Sequence, residues 1–171
     1  QVSADGLAWS TACATTQGDS ERSYLYLPHT LSRYLRLNLH RSVEGRGFGI
    51  RGILFKPHDF SRSLNHFFQN IAREHPAGLY PKYLHGRQTY WTPVGTGEGD
   101  GVALLDEEGM VEVDKGSFSI MPYLLAAGRI VTWADVTLGQ DRPGGYLPIP
   151  SAQWRAGSLL IGSTVSLVSA G

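Results

Sequence analysis

Residues 101–136 read GVALLDEEGMVEVDKGSFSIMPYLLAAGRIVTWADV, and the natural outcome for such a run is two β-hairpins in succession. Residues 102–105 lead into the turn Asp106-Glu107-Glu108-Gly109, and residues 110–113 return. Residues 117–125 then lead into Ala126-Ala127-Gly128, and residues 129–136 return. A glycine closes each turn, where a positive φ costs least. The flanking runs are rich in Val, Ile, Phe, Tyr and Trp and are too short for helices. The expected fold class is therefore mainly β, an antiparallel β-sandwich with one short amphipathic helix.

Shorter strand signals flank this centre. Residues 23–27 (SYLYL) alternate and stop at Pro28. In YLRLNL, Leu35, Leu37 and Leu39 share one face while Tyr34, Arg36 and Asn38 share the other, the pattern of a half-buried strand. Residues 48–55 (FGIRGILF) predict a further strand, residues 90–94 the entry to another, and residues 159–168 a last β segment. The helix is expected over residues 61–75, where Leu64, Phe67, Phe68 and Ile71 form one stripe. Ser61 or Ser63 caps its start, and Pro76 with Gly78 ends it.

Composition narrows the classes of partner. A hydrophobic content of 42% suits a globular core, and a formal charge of zero argues against a nucleic-acid binder, which needs a dedicated basic surface. The charge is uneven: residues 1–96 hold eleven Lys/Arg against six Asp/Glu, whereas residues 97–141 hold nine carboxylates against Lys115 and Arg129. Such asymmetry fits either pairing within the molecule or an acidic cleft or cation site. Cys13 is alone, so no intramolecular disulfide forms. No run approaches the ~18 apolar residues of a membrane span. Gln1 is not an initiator methionine and no signal-peptide pattern follows it, so the chain is expected to be processed or excised from a longer one.

Two resemblances bear on function. Asp5-Gly6 with Trp9, then Tyr24-Leu25-Tyr26-Leu27-Pro28, Arg33-Tyr34-Leu35-Arg36-Leu37 and Gly47-Phe48-Gly49-Ile50-Arg51-Gly52-Ile53 together resemble the C-terminal half of a discoidin (coagulation-factor type-C) domain. The family's ligand-binding loops would lie upstream of Gln1, so no binding residue carries over. The run from Arg73 to Trp154 is similar to a block in large bacterial proteins, in which a discoidin-like domain precedes a β-sandwich and a helical glycosidase-type barrel. It does so through Arg73-Glu74-His75-Pro76, Tyr80-Pro81-Lys82-Tyr83, Tyr90-Trp91-Thr92, Ala103-Leu104-Leu105-Asp106, Gly116-Ser117-Phe118-Ser119-Ile120, Thr132-Trp133-Ala134-Asp135 and Tyr146-Leu147-Pro148-Ile149-Pro150. This second resemblance implies a carbohydrate-active context, neighbouring domains in a parent chain and a location outside the cytoplasm. It does not imply catalysis by this segment. The organisation it suggests is a discoidin-like β segment over residues 1–60 and a helix plus β-sandwich region over residues 61–171, or one fused domain.

Carbohydrate recognition uses flat exposed rings that stack on sugar faces, beside planar polar groups that meet hydroxyls. Tyr80, Tyr83, Tyr90, Trp91 and Trp133, interleaved with Arg87 and Gln88, supply these types. The expected partner is thus a polysaccharide or oligosaccharide. Glycoside hydrolysis would need two carboxyl groups flanking a cleft, and Asp135, Glu112 and Glu108 are the candidates, with Asp135 expected on a strand, in a pocket that raises its pKa. A purely structural or protein-interaction sandwich is the remaining class. No cofactor is expected beyond a structural Ca²⁺, for which Glu98 and Asp100 offer oxygen ligands. His58, His66, His75 and His85 are too widely spaced to match a zinc motif.

Overall fold

A computed structural model of the chain describes residues 1–16, 22–27, 31–40, 47–95, 101–114, 116–146 and 149–166. The chain divides into two compact units, Gln1–Ile71 and Ala72–Gly171. The described residues form antiparallel sheets and a single α-helix, so the fold is mainly β, as the alternation predicts.

In the first unit, β1 (Val2–Ser3) pairs antiparallel with β2 (Tyr34–Leu35), and Val2 also exchanges both backbone hydrogen bonds with Ser10. The loop between them is pinned by Asp5, whose Oδ1 accepts from Leu7 N, Ala8 N and the Ser3 hydroxyl at 2.8–2.9 Å. Those donors hold the Asp5 carboxyl below its ordinary pKa, backbone N–H groups first.

The strands expected over residues 23–27, 36–39 and 48–55 are absent. Leu37 and Leu39 are each 43% exposed, and Phe48, Ile50 and Ile53 lie in irregular, exposed backbone. Alternation supplies a face, but a strand also needs a neighbour for its N–H and C=O groups. Arg36 still exchanges both backbone hydrogen bonds with Gln1, but no strand ladder extends from there over residues 37–39.

The helix, α1 (Leu64–Arg73), starts where Ser63 Oγ accepts from His66 N, an N-cap bond at 3.2 Å. The apolar stripe is narrower than the spacing implies: Phe67, Ile71 and Ala72 are buried, whereas Leu64 and Phe68 stay exposed. Phe67 meets the rings of Tyr26 at 5.3 Å, Phe68 at 5.7 Å and Phe60 at 6.2 Å, all edge-on.

The second unit holds most of the sheet. β3 (Trp91–Gly95), β4 (Val102–Asp106), β5 (Val111–Val113) and β6 (Phe118–Ile120) form a four-stranded antiparallel meander. Val94 faces Ala103, Thr92 faces Leu105 and Leu105 faces Val111 across the ladders. Ala103 and Leu105 are buried on β4, with Leu104 between them only partly so, the period of two that a one-sided sheet requires. The first hairpin therefore forms where the sequence places it.

The second long hairpin does not. After β6 the chain breaks at Met121-Pro122-Tyr123, where Pro122 has no N–H to continue the ladder. A short two-stranded hairpin follows, β7 (Leu124–Ala126) with β8 (Arg129–Val131). Its turn, Ala127-Gly128, has φ of 49° and 74°, the two positive values of a type I′ turn. Beyond it Trp133–Asp135 is a 3₁₀ turn instead of strand. Then β9 (Thr137–Asp141), β10 (Ser151–Ala156) and β11 (Leu159–Thr164) form a three-stranded meander with β10 central. Ala152 and Trp154 are its buried face. No helix among the described residues is long and apolar enough to cross a membrane.

Candidate functional site

The aromatic-rich run between α1 and β3 folds as two 3₁₀ turns, Ala77–Leu79 and Lys82–His85, each entered from a proline whose ψ is extended. Gly86 closes the second turn at φ 71°, a left-handed conformation that glycine adopts cheaply. Three bonds fasten this run. Trp133 Nε1 donates to Tyr80 O at 3.0 Å, the Tyr123 hydroxyl donates to Leu79 O at 2.8 Å, and Lys82 Nζ bonds to Glu107 Oε1.

The rings separate into two groups. Trp133 is 5% exposed, with the His85 ring edge-on at 6.5 Å and the Arg87 guanidinium 6.0 Å from its centroid. It is scaffold, not the sugar platform its residue type suggested, because the 3₁₀ turn directs its indole N–H to Tyr80 O in the interior. Tyr80 is half-buried, with its ring 5.5 Å from that of His75, and Trp91 is half-buried on β3 opposite Asp106. Tyr83 and Tyr90 are exposed, at 44% and 61%, as are Arg87 and Gln88 between them. Burial, then the nearby Glu112 and Asp106 carboxylates, push the Tyr83 hydroxyl above its usual pKa. Tyr83 thus lies near the β4–β5 end of the four-stranded sheet, and Tyr90 directly precedes β3.

The carboxylates depart from expectation. Asp135 is exposed and its pKa is lowered, not raised: Oδ2 accepts from the Thr132 hydroxyl at 2.8 Å and from Thr132 N at 3.0 Å, and Arg129 lies 3.8 Å from Oδ1. Together with Ala134 N donating to Thr132 Oγ1, these bonds make a capping box, which holds Asp135 as an anionic acceptor and not as a proton donor. Glu112 sits half-buried on β5 opposite Ser119.

Two of the three turn carboxylates, Asp106 and Glu108, are buried. Asp106 is 2% exposed and its Oδ1 accepts from Met110 N at 2.7 Å and Glu108 N at 3.0 Å, so it shapes the turn. Glu108 is 3% exposed, with Lys82 Nζ 3.0 Å from Oε1. Beyond this ion-pair contact neither Glu108 oxygen has a hydrogen-bond partner among the described residues. Burial pushes Asp106 up to about 6, against its backbone donors, and raises Glu108 against the pull of Lys82. Burial also opposes the charge on Lys82, but Glu107 and Glu108 together outweigh it and raise the ammonium above its ordinary value. Glu108 thus stands enclosed beside Lys82 and not at an open cleft.

Among the described residues no three His, Cys, Asp or Glu side chains are grouped to hold a metal ion; Glu98 and Asp100 lie outside them, as do residues 167–168 of the last β segment. A shallow depression of about 280 Å³ is lined by Thr92, Gln140, Asp141, Arg142, Gly145, Pro150 and Ser151, with no aromatic ring. Residue type alone pointed to Tyr83 and Tyr90 but not to Lys82, Asp106 or Tyr123. The cue for Lys82 was three consecutive carboxylates needing a cation, with no sequence rule to say which cation. No protein-family model, curated protein or solved structure matches the chain.

Proposed function

We propose that the chain is a non-catalytic carbohydrate-binding or accessory module of a carbohydrate-active protein, working outside the cytoplasm beside neighbouring domains. The observation that carries this reading is the exposure of the Tyr83 and Tyr90 rings on one short stretch with Arg87 and Gln88. Exposed rings offer stacking faces to the C–H side of a sugar, and the guanidinium and amide meet its hydroxyls. The carboxylates support binding over bond cleavage. Asp135 is committed to its cap and Glu108 to Lys82, which leaves no pair of free acids among the candidates.

The test is retention on a panel of polysaccharide gels by affinity electrophoresis. Tyr83→Ala and Tyr90→Ala are each expected to weaken retention about tenfold, the size of one lost stacking contact, with the fold preserved. Equal migration of wild type and both variants on every glycan would refute the assignment.

A further inference from the structure

The Asp106-Glu107-Glu108 turn carries three consecutive carboxylates, two of which share one ammonium, that of Lys82. Two of the three are almost wholly enclosed, Asp106 at 2% and Glu108 at 3%, and Lys82 is shared between Glu107 and Glu108. Asp106 has backbone donors but no cation, and Glu108 has no hydrogen-bond donor beyond the lysine. Enclosed charge in excess of its countercharge is costly, and the usual relief is a retained proton. On the other side of this cluster stands the 3₁₀ turn Lys82–His85, which carries Tyr83 and leads to Arg87 and Tyr90.

We propose that the β4–β5 turn is a proton-controlled latch: with a proton retained between Asp106 and Glu108 it holds the Lys82–His85 turn in place, and loss of that proton loosens it. The consequence for glycan retention, weaker at higher pH, rests on the reading above; the latch does not. The groups facing the cluster are Lys82 and Tyr83 from the 3₁₀ turn, Glu107 from the turn itself and Glu112 from β5. β10 contributes the neutral indole of Trp154, and Ala152 of β10 and Ser163 of β11 flank Gly109. His85, on the same turn as Lys82, packs its ring on Trp133. The sign follows from burial. The enclosed acids bind a proton more tightly when the latch is closed, so closure is favoured at low pH and opposed as pH rises.

Hydrogen exchange tests this without any glycan. The amides of Leu84 and Gly86, which donate to Pro81 O and Tyr83 O, and the Trp133 indole N–H on Tyr80 O report whether the turn is docked. After correction for intrinsic base catalysis, their protection is expected to fall about fivefold between about pH 4.5 and about pH 7 in the full chain. Glu108→Gln, which keeps size and polarity, should remove most of that fall, and Asp106→Asn should do so while still accepting the two backbone N–H groups. Protection that stays constant across the range in wild type would overturn the latch. So would an undiminished fall in Glu108→Gln, the result that histidine titration alone would give.

Discussion

The indole Nε1 of Trp154 donates to the backbone carbonyl of Glu108 at 2.7 Å, with both residues buried. This bond joins the central strand of the three-stranded meander to the turn of the four-stranded one. Next to it Gly109 packs against Ala152 and Ser163, where a Cβ would stand 3.4 Å from Ala152 Cβ and from Ser163 Oγ, close to ordinary contact. It is the φ of 87° that disfavours a side chain at Gly109. The same turn thus carries the contact between the sheets on one side and the Lys82 ion pairs on the other.

Trp154→Phe keeps most of the ring and leaves the Glu108 carbonyl without its donor. A loss of about 1–3 kcal/mol is expected, the cost of one buried unpaired group. Trp154→Ala, which also opens a cavity, should cost about 3–5 kcal/mol. Urea denaturation of both variants measures this, and a Trp154→Phe midpoint equal to that of wild type would show that the bond contributes nothing beyond ring bulk.

Asp106 makes stability depend on pH. Its folded pKa of about 6 stands above the ordinary 3.8, so its stabilising contribution is full below 3.8 and is lost as pH rises through about 6. Relative to an unshifted carboxylate the loss is on the order of 2 kcal/mol, after discounting for solvent screening. Urea midpoints taken at intervals from pH 4 to pH 7 should decline in wild type and level off in Asp106→Asn. A parallel decline in both would assign it to another group.

Ala127 occupies a left-handed position in the Ala126–Arg129 turn, with φ of 49°. An L side chain there costs about 1 kcal/mol that glycine avoids and asparagine reduces. Ala127→Gly and Ala127→Asn should each raise stability by about 0.5–1 kcal/mol, read as a higher urea midpoint with unchanged slope. A lower midpoint would mean that the turn is not of this type in solution.

Thr132 is the hinge of the capping box before Trp133, and its side chain fills the space in front of Gly78. Thr132→Ala should cost about 1 kcal/mol through the lost cap. Gly78→Ala should be worse, because its methyl group would overlap Thr132 Oγ1. The Asp135 half of the box acts with the opposite pH sign to Asp106. Its pKa is lowered, so its contribution is present above 3.8 and lost as pH falls through the lower folded value. Asp135→Asn should therefore flatten the acid limb of the stability profile and leave the limb above pH 5 unchanged.

What could be read in advance follows how local each signal is. Val102–Asp106 and Val111–Val113 are adjacent in sequence and joined by a four-residue turn, so alternation and turn chemistry together settle their pairing. The helix was legible for the same reason, with its Ser63 cap next to its apolar stripe. In YLRLNL only Tyr34–Leu35 becomes strand, and residues 37–39 and 48–55 form none, because pairing depends on a second segment that the pattern does not identify. The strand Thr137–Asp141 (TLGQD) was hidden by its glycine and polar residues, and it exists because β10 lies alongside.

The site divides along the same line. Residue types alone determined that this chain is mainly β, that its centre is a hairpin on Asp106-Glu107-Glu108-Gly109, and that residues 80–91 concentrate aromatic and planar polar side chains. Only the tertiary structure decided that Trp133 goes inside while Tyr83 and Tyr90 stay out, that Asp135 caps a turn, and that Asp106 and Glu108 are enclosed with Lys82 as the shared cation. The reason is physical. Backbone alternation and turn preference act over a few residues, whereas burial and charge pairing depend on which distant segments pack together.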